Sequence, residues 1–251
     1  MLDRLLAPFR DRSRGPRRVR YLIGEGRSTP LALFVNGRRR SDAASPAEAI
    51  DLLLWDVYDR AFRGESESLV IHAGLVSLRG RGILLPGLPD AGKTTLVAGL
   101  VRAGFAYLSD EAAVFDPASG RFLAFPRPLG MELPTLRLFP GLEERLPAEL
   151  RGTDRMTRHV PATAIRRGCI GRSCVLRHVV VPRYRAGAAT RLEPAGRAET
   201  LMLLSRSAFS SRRFAADGLE PMAAALAGAG CHRLEMGDLA GAVDAVASLV
   251  A

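Results

Sequence analysis

Between Leu69 and Val101 the apolar pattern changes period in a way that outlines one structural unit. The run LVIHAGLVSL (residues 69–78) is almost continuously apolar, and RGILLPG (Arg81–Gly87) repeats that pattern after a basic break. Short runs without a polar alternate predict strands covered on both faces, two or three of them in SLVIHAGLVSLRGRGILLPG. In TTLVAGLVRAG the period lengthens: Leu96, Leu100 and Val101 share a helical stripe, and Gly104 stops it. FAYLSDEAAVFD then predicts a strand ending in acids, and DPASGRFLAFPRP a hairpin turning at Pro117–Gly120.

The flanks are less regular. Residues 20–40 predict a strand pair around Gly24–Pro30 that finishes in an Asn36-Gly37 turn. A helix opens at Ser45-Pro46-Ala47-Glu48, with Ser45 as cap and Pro46 at the first helical position. Its apolar stripe is Ile50, Leu53, Leu54, Val57 and Tyr58, and Trp55 is expected to pack at the stripe's edge. Gly64–Ser68 breaks this helix, dividing a basic arm with a small strand-and-helix segment (1–64) from a larger domain (65–251). Residues 135–172 are rich in Arg, Pro and Gly with weak periodicity and predict loop and short helix. Beyond them come a strand at Val175–Tyr184, helices at Ala198–Phe209 and Leu219–Gly228, a strand at Cys231–Met236 and a last helix from Asp238.

The turn between the apolar strand and the helix carries chemistry. Gly87, Gly92, Lys93 and Thr94 in PGLPDAGKTT fit G-x-x-x-x-G-K-[ST], the phosphate-cradling P-loop, in its required strand–loop–helix context. Such a loop, here Gly87, Leu88, Pro89, Asp90, Ala91, Gly92, Lys93, Thr94 and Thr95, turns backbone N–H groups and a helix N-terminus toward a di- or triphosphate. Lys93 is the single lysine among 36 Lys and Arg residues. A chain that otherwise writes its positive charge as arginine keeps a compact ammonium where a planar guanidinium would not fit. Thr94 is expected to place its hydroxyl on Mg²⁺.

Composition narrows the partners. The 251 residues are 47% hydrophobic, enough for one substantial core with a small attachment. No apolar run approaches a membrane span, and the N-terminus lacks an apolar signal core. The three cysteines, Cys169, Cys174 and Cys231, are sparse and not spaced as a zinc knuckle, so reduced thiols in a cytoplasmic protein are expected. The net charge of +10 points to acidic partners, but only 6% of residues are aromatic and no basic stripe is interleaved with them, so nucleic acid is not the expected ligand. Seven arginines crowd the first twenty residues, as a solvated arm or a dock for an acidic peptide.

Two further features suit phosphoryl transfer, which needs an anchored metal and a carboxylate for the attacking hydroxyl's proton. Asp110 and Glu111 end the strand after the P-loop helix, where adjacent acids can divide those tasks. His72 follows the apolar SLVI and as a neutral imidazole can orient the hydroxyl or the carboxylate, while His159, His178 and His232 have no comparable setting.

The run Ile71–Pro117 resembles the core of HPr kinase/phosphorylase: a histidine segment, the same spacing to the P-loop, a helix ending in glycine, then an acid pair. FPRPL (Phe125–Leu129), VVVPRY (Val179–Tyr184), GAATRLEP (Gly187–Pro194) and HRLEMGDLAGAV (His232–Val243) resemble the HPr-kinase-related branch, and the likeness extends over residues 65–250. It implies an α/β fold of the P-loop kinase type related to phosphoenolpyruvate carboxykinase, a mixed sheet flanked by helices. It also implies ATP and Mg²⁺, a serine acceptor on a small protein or on a peptide such as a lasso-peptide precursor, and a homo-oligomer, often a hexamer. Lys93 would bind phosphate, Thr94 and Asp110 the metal, His72 would be the active-site histidine and Glu111 the proton acceptor. The nearest match to the family's further metal carboxylate is Glu132, and to its lid arginine Arg183 or the Arg155–Arg158 region. The chain departs from the family in having Glu for Asp at 111, no Arg-Gly-Leu-Gly-Ile-like segment within 127–150, and no counterpart of a separate N-terminal domain. A small-molecule kinase and a nucleotide-binding regulatory module stay open as alternatives.

Overall fold

A computed structural model describes residues 2–7, 19–27, 29–64, 68–146, 148, 151, 157–207 and 220–250. Most of the arginine-rich arm, and Arg155, lie outside the described residues. The apolar run becomes β4 (Leu69–Leu78) and β5 (Arg81–Pro86), an antiparallel hairpin closed by Arg79 and Gly80, both at positive φ. That pair of left-handed residues matches the right-handed twist of the strands it joins. Helix α3 (Lys93–Arg102) follows, then β6 (Ala106–Ser109), β7 (Ala112–Asp116) and β8 (Arg121–Leu123), with Asp110 and Glu111 in the turn between β6 and β7. β11 (Ser173–Tyr184) pairs parallel to β5 and to β13 (Gly230–Met236), while β12 (Arg191–Pro194) joins β13 antiparallel.

The result is an eight-stranded mixed sheet in the order β12-β13-β11-β5-β4-β7-β8, with β6 on β4. β11 also pairs with β8 at residues 173–174, so the ring β11–β5–β4–β7–β8 closes on itself. Both faces are covered. Val70, Val76, Ile83 and Leu85 join one apolar cluster with α3, whereas Ile71, Leu75, Leu84 and Val179 join another with Leu204 of α7 (Arg197–Arg206) and Met222 of α8 (Glu220–Ala225). The absence of polar alternates in the β4–β5 sequence follows from this two-sided burial. The last helix, α9 (Leu239–Ala247), starts where Asp238 accepts from the Gly241 N–H, and packs on α3.

Residues 20–40 differ from expectation. Instead of a strand pair there is a separate three-stranded sheet of β1 (Tyr21–Glu25), β2 (Leu31–Val35) and β3 (Arg38–Ala43), with Asn36 and Gly37 turning β2 into β3. β3 reads RRRSDA, a wholly polar start that carries no hydrophobic signal, yet its backbone completes the meander. Helix α2 (Pro46–Gly64) begins as expected: Ser45 Oγ accepts from Glu48 N–H at 3.1 Å, and Glu48 reaches back to Ala44 N–H at 2.7 Å. Its buried Asp56 accepts from the Tyr21 hydroxyl at 2.9 Å and pairs with Arg40 and Arg60, tying α2 to the small sheet. The opposite side of α2 sends Ile50, Leu54 and Tyr58 into the same cluster as α3.

The region expected as loop and short helix holds short helices and, in addition, a strand that its periodicity did not suggest. β9 (Leu129–Glu132) and β10 (Thr157–Val160) form a two-stranded antiparallel sheet, and three short helices, α4 (Leu133–Arg137), α5 (Leu142–Arg145) and α6 (Ala162–Ile165), fill the space around it. The three cysteines are buried and free. Among the described residues, no helix is long and apolar enough to cross a membrane.

Gly74 of β4 sets the distance between the sheet and α3. A methyl group there would lie 2.7 Å from Val97 Cγ2 and 3.4 Å from Leu85 Cβ, both wholly buried. Val97 is β-branched and cannot rotate away at low cost. Gly74→Ala is therefore expected to lower the unfolding free energy by about 1–3 kcal/mol, seen as a lower urea midpoint with an unchanged slope.

Candidate active site

The loop Gly87–Gly92 leaves the carboxyl end of β5, beside the carboxyl ends of the parallel strands β11 and β13, the usual place for a ligand in an α/β sheet. Gly92 caps α3 in the left-handed conformation, at φ 83°, and supplies no side-chain oxygen. A methyl group on it would lie 2.3 Å from Met236 Cε, the far end of a flexible side chain, and 3.4 Å from Tyr184 Cβ; it is the left-handed conformation that demands glycine. The first-turn N–H groups of α3 therefore have no capping side chain, and they carry the positive end of a ten-residue helix. Lys93 is buried, and its Nζ donates to the carbonyls of Gly87 and Leu88, each at 2.8 Å, folding back over its own loop. Burial holds its pKa below the ordinary value. Leu88, Pro89 and Asp90 form the exposed crest, with Asp90 at φ 62°, while Ala91 and Thr94 are half-buried. Thr95 Oγ1 lies 2.8 Å from Thr135 Oγ1 on α4, which fastens the helix start to the β9–α4 segment.

The acids diverge in environment. Asp110 is buried, its Oδ2 accepting from Gly130 N–H at 3.3 Å and its Oδ1 from the Tyr107 hydroxyl at 3.0 Å. That hydroxyl also lies 2.7 Å from the Arg127 carbonyl, so its one proton serves two acceptors whenever Asp110 is charged. Burial, against the pull of Arg127, raises the Asp110 pKa to about 6. Glu111 keeps its carboxylate partly exposed and ion-paired with Arg127. The Arg127 guanidinium sits 5.0 Å over the ring of Tyr58 from α2.

His72, on β4 opposite Ala112, is half-buried and held by a backbone hydrogen bond with Glu111; Ala73 N–H also donates to the Glu111 carbonyl at 3.1 Å. Burial lowers its pKa, and the fields of Lys93 and Arg127 lower it further against Glu111, so the ring is neutral near pH 7. His72, Lys93, Asp110 and Glu111 thus share one electrostatic neighbourhood. Glu132 is exposed at the end of β9, and among the described residues no hydrogen bond or ion pair joins it to this group. Arg183 is exposed at the end of β11, and Arg158 is buried in β10.

Arg127 and Tyr107 are the site residues that the sequence reading missed. Arg127 lies between Pro126 and Pro128, and two fixed φ angles that pin one arginine in extended backbone are a local signal for a positioned guanidinium. Tyr107 carried only the signal of an apolar strand residue. Trp55 corrects another expectation: it is 61% exposed rather than packed at the stripe's edge. His159 is not an isolated histidine, since it pairs with Asp51 of α2, and His178 meets His232 across β11 and β13 at 3.1 Å.

The cradle suits a nucleoside polyphosphate: an uncapped helix N-terminus, an obligatory glycine and a buried ammonium surround one loop. A magnesium ion carried by a nucleotide takes most of its ligands from phosphate and water and one or two from protein oxygens. Among the described residues no three His, Cys, Asp or Glu side chains converge as a preformed metal cage.

No protein-family model matches the chain, and no curated protein matches it. Among solved structures, the HPr(Ser) kinase/phosphatase from Coxiella burnetii is similar to it at 9% sequence identity and a TM-score of 0.33, over 72% of this chain and 96% of that one. A likeness at that level is too slight to bear on function.

The raised Asp110 pKa has a definite consequence for stability. Between about pH 4 and pH 6 the folded state holds a proton that the unfolded chain has released, so this group's contribution falls as pH rises through that window. Asparagine keeps an acceptor for Gly130 N–H and a donor for the Tyr107 oxygen without the buried charge. Asp110→Asn is expected to match the wild type near pH 4 and to exceed it by about 1–3 kcal/mol at pH 7.5, measured by urea unfolding across that range.

Proposed function

We propose that the protein is an ATP- and Mg²⁺-dependent kinase that transfers the γ-phosphate to a serine hydroxyl of a small protein or a ribosomally made peptide. The observation that carries this reading is the pairing of the Lys93 phosphate cradle with a partly exposed carboxylate, Glu111, in one electrostatic field. When bound, MgATP supplies the transferable phosphoryl group and the metal that screens its charge. Lys93 leaves the carbonyls of Gly87 and Leu88 to bind phosphate oxygen, and the N–H groups at the start of α3 bind beside it. Thr94, Asp110 and Glu132 are the residues that would offer oxygens to the metal. Glu111 accepts the serine proton at a carboxylate oxygen as the new O–P bond forms and the bond to the β,γ-bridging oxygen breaks, ADP leaving. His72, neutral and bonded to the Glu111 backbone, holds the turn that aims this carboxylate. Arg127 holds Glu111 until the acceptor hydroxyl displaces the ion pair.

The loose transition state of phosphoryl transfer puts most of the rate in positioning and charge neutralisation. Lys93→Ala is therefore expected to remove turnover while the protein stays folded. Glu111→Gln is expected to lower turnover by about 10²–10⁴-fold, the usual worth of a positioned general base. The test is γ-labelled ATP with Mg²⁺ and a low-molecular-mass fraction of source-cell extract, with Lys93→Ala as blank. Acid-stable label on a peptide or small protein supports the kinase. Label only on metabolites moves the acceptor to a small molecule, and nucleotide binding with no transfer, insensitive to Glu111→Gln, identifies a regulatory module instead.

A further inference from the structure

We propose that the pocket at the turn between β11 and β12 holds the nucleoside of the phosphate donor, whose phosphates rest on the Lys93 loop. This rests on the nucleotide reading of that loop. Segments Val179–Tyr184, Gly187–Pro194 and His232–Val243 meet here, through the pairing of β11 and β12 with β13. The pocket has a volume of about 340 Å³, within the range of small-molecule sites. Its walls are the turn from Arg185 to Ala189, Arg191 of β12 and Glu235 of β13. At the ends of β11 and β13 successive side chains point to opposite faces. Tyr184 and Met236 back Gly92 of the phosphate loop, while their neighbours Arg185 and Glu235 line the pocket. Cradle and pocket therefore share one wall, at the carboxyl ends of parallel strands, where the ligand of an α/β sheet crosses the strand tips.

The turn is pinned in place. Arg185 N–H donates to the Met236 carbonyl and Ala188 N–H to the Arg185 carbonyl, each at 3.0 Å, and the Thr190 hydroxyl donates to Asp238 Oδ2 at 3.4 Å. A methyl group on Gly237 would lie 1.9 Å from the Ala188 carbonyl oxygen, a backbone atom that cannot swing aside, so the turn is pressed onto the end of β13. Its side chains decide what fits. Gly187 and three alanines make a low apolar floor on which a flat ring can lie. Two guanidiniums and one carboxylate rim that floor. Arg191 is exposed, and among the described residues its guanidinium makes no hydrogen bond or ion pair. Arg185 and Glu235 face each other at 3.6 Å, both accessible to water, a pairing that a ligand can exchange at little cost. A guanidinium stacks on the face of a base, and a carboxylate accepts from the hydroxyls of a ribose. A second phosphate or an acidic side chain would use the arginines, meet Glu235 and leave the alanine floor uncovered.

The test is binding, and it needs no turnover. The full-length protein is titrated in a calorimeter with MgATP and with magnesium tripolyphosphate, which carries the phosphate chain without the nucleoside. ATP is expected to bind about tenfold tighter than tripolyphosphate. Arg191→Ala and Glu235→Gln are each expected to remove most of that preference while leaving tripolyphosphate affinity unchanged, which also shows that the variants are folded. Lys93→Ala, acting on the phosphates, is expected to weaken both ligands. Wild-type protein that binds ATP no tighter than tripolyphosphate overturns the pocket and leaves the phosphate loop standing. An ATP affinity unmoved by both pocket variants, or lost equally for the two ligands at an unchanged melting temperature, does the same. Failure of both ligands to bind the wild type overturns the nucleotide reading and the pocket with it.

Discussion

The site depends on how closely the start of α3 is pressed against the ends of β11 and β13. Met236 Cε occupies the place where a side chain on Gly92 would begin, and Tyr184 backs the same residue. Behind it, Leu96, Val97, Leu100 and Val101 are wholly buried, so α3 cannot retreat without opening the core. A helix start fixed in this way, with glycine as its cap, keeps its N–H groups aimed outward. The ammonium of Lys93 rests on two loop carbonyls, within the fields of Glu111, Asp90 and Asp110. The polar loop is thus held in shape by apolar packing beneath it as well as by its own hydrogen bonds, and the Lys93 contacts are ones a ligand can replace.

From that corner the coupling runs through a short polar chain. Tyr107 joins Asp110 to the Arg127 carbonyl, Arg127 joins Glu111, and the same guanidinium lies on Tyr58 of α2. The two acids are one residue apart yet experience opposite surroundings, one buried between donors and the other at the mouth of a cleft. A buried carboxylate whose pKa is pushed up costs folding free energy at neutral pH. Local costs of this kind persist where geometry matters more than stability. Here the geometry at stake is the β6–β7 turn that presents Glu111 while Asp110 anchors it to Gly130 on β9.

What was legible in the chain follows from which forces leave a pattern. Two-sided burial writes continuous apolar runs, so β4, β5, β11 and α3 could be read nearly to their ends. The strand–loop–helix junction at Gly87–Lys93 was legible because its backbone demands glycine at Gly92. Edge strands leave little trace. β3 begins with three arginines, β12 reads RLEP, and β9 is four residues long; β3 is defined by a turn back onto β2, and the other two by backbone pairing to a neighbour distant in sequence. Trp55 was misplaced because hydrophobicity was taken as burial, although its neighbours in the helical line, Asp51 and Asp59, are both acids. Arg127 went unread because its role depends on Glu111 and Tyr58, sixteen residues before it and on another element respectively.

The contrast between the whole molecule and this one corner is the remaining step. A chain of net charge +10 draws polyanions toward itself over distances of a Debye length, which favours nucleotide encounter without choosing a site. Locally, Lys93 and the α3 N-terminus concentrate positive field at one corner, and Glu111, ion-paired with Arg127, stands beside it. A cation reaching the loop would meet the helix dipole and Lys93.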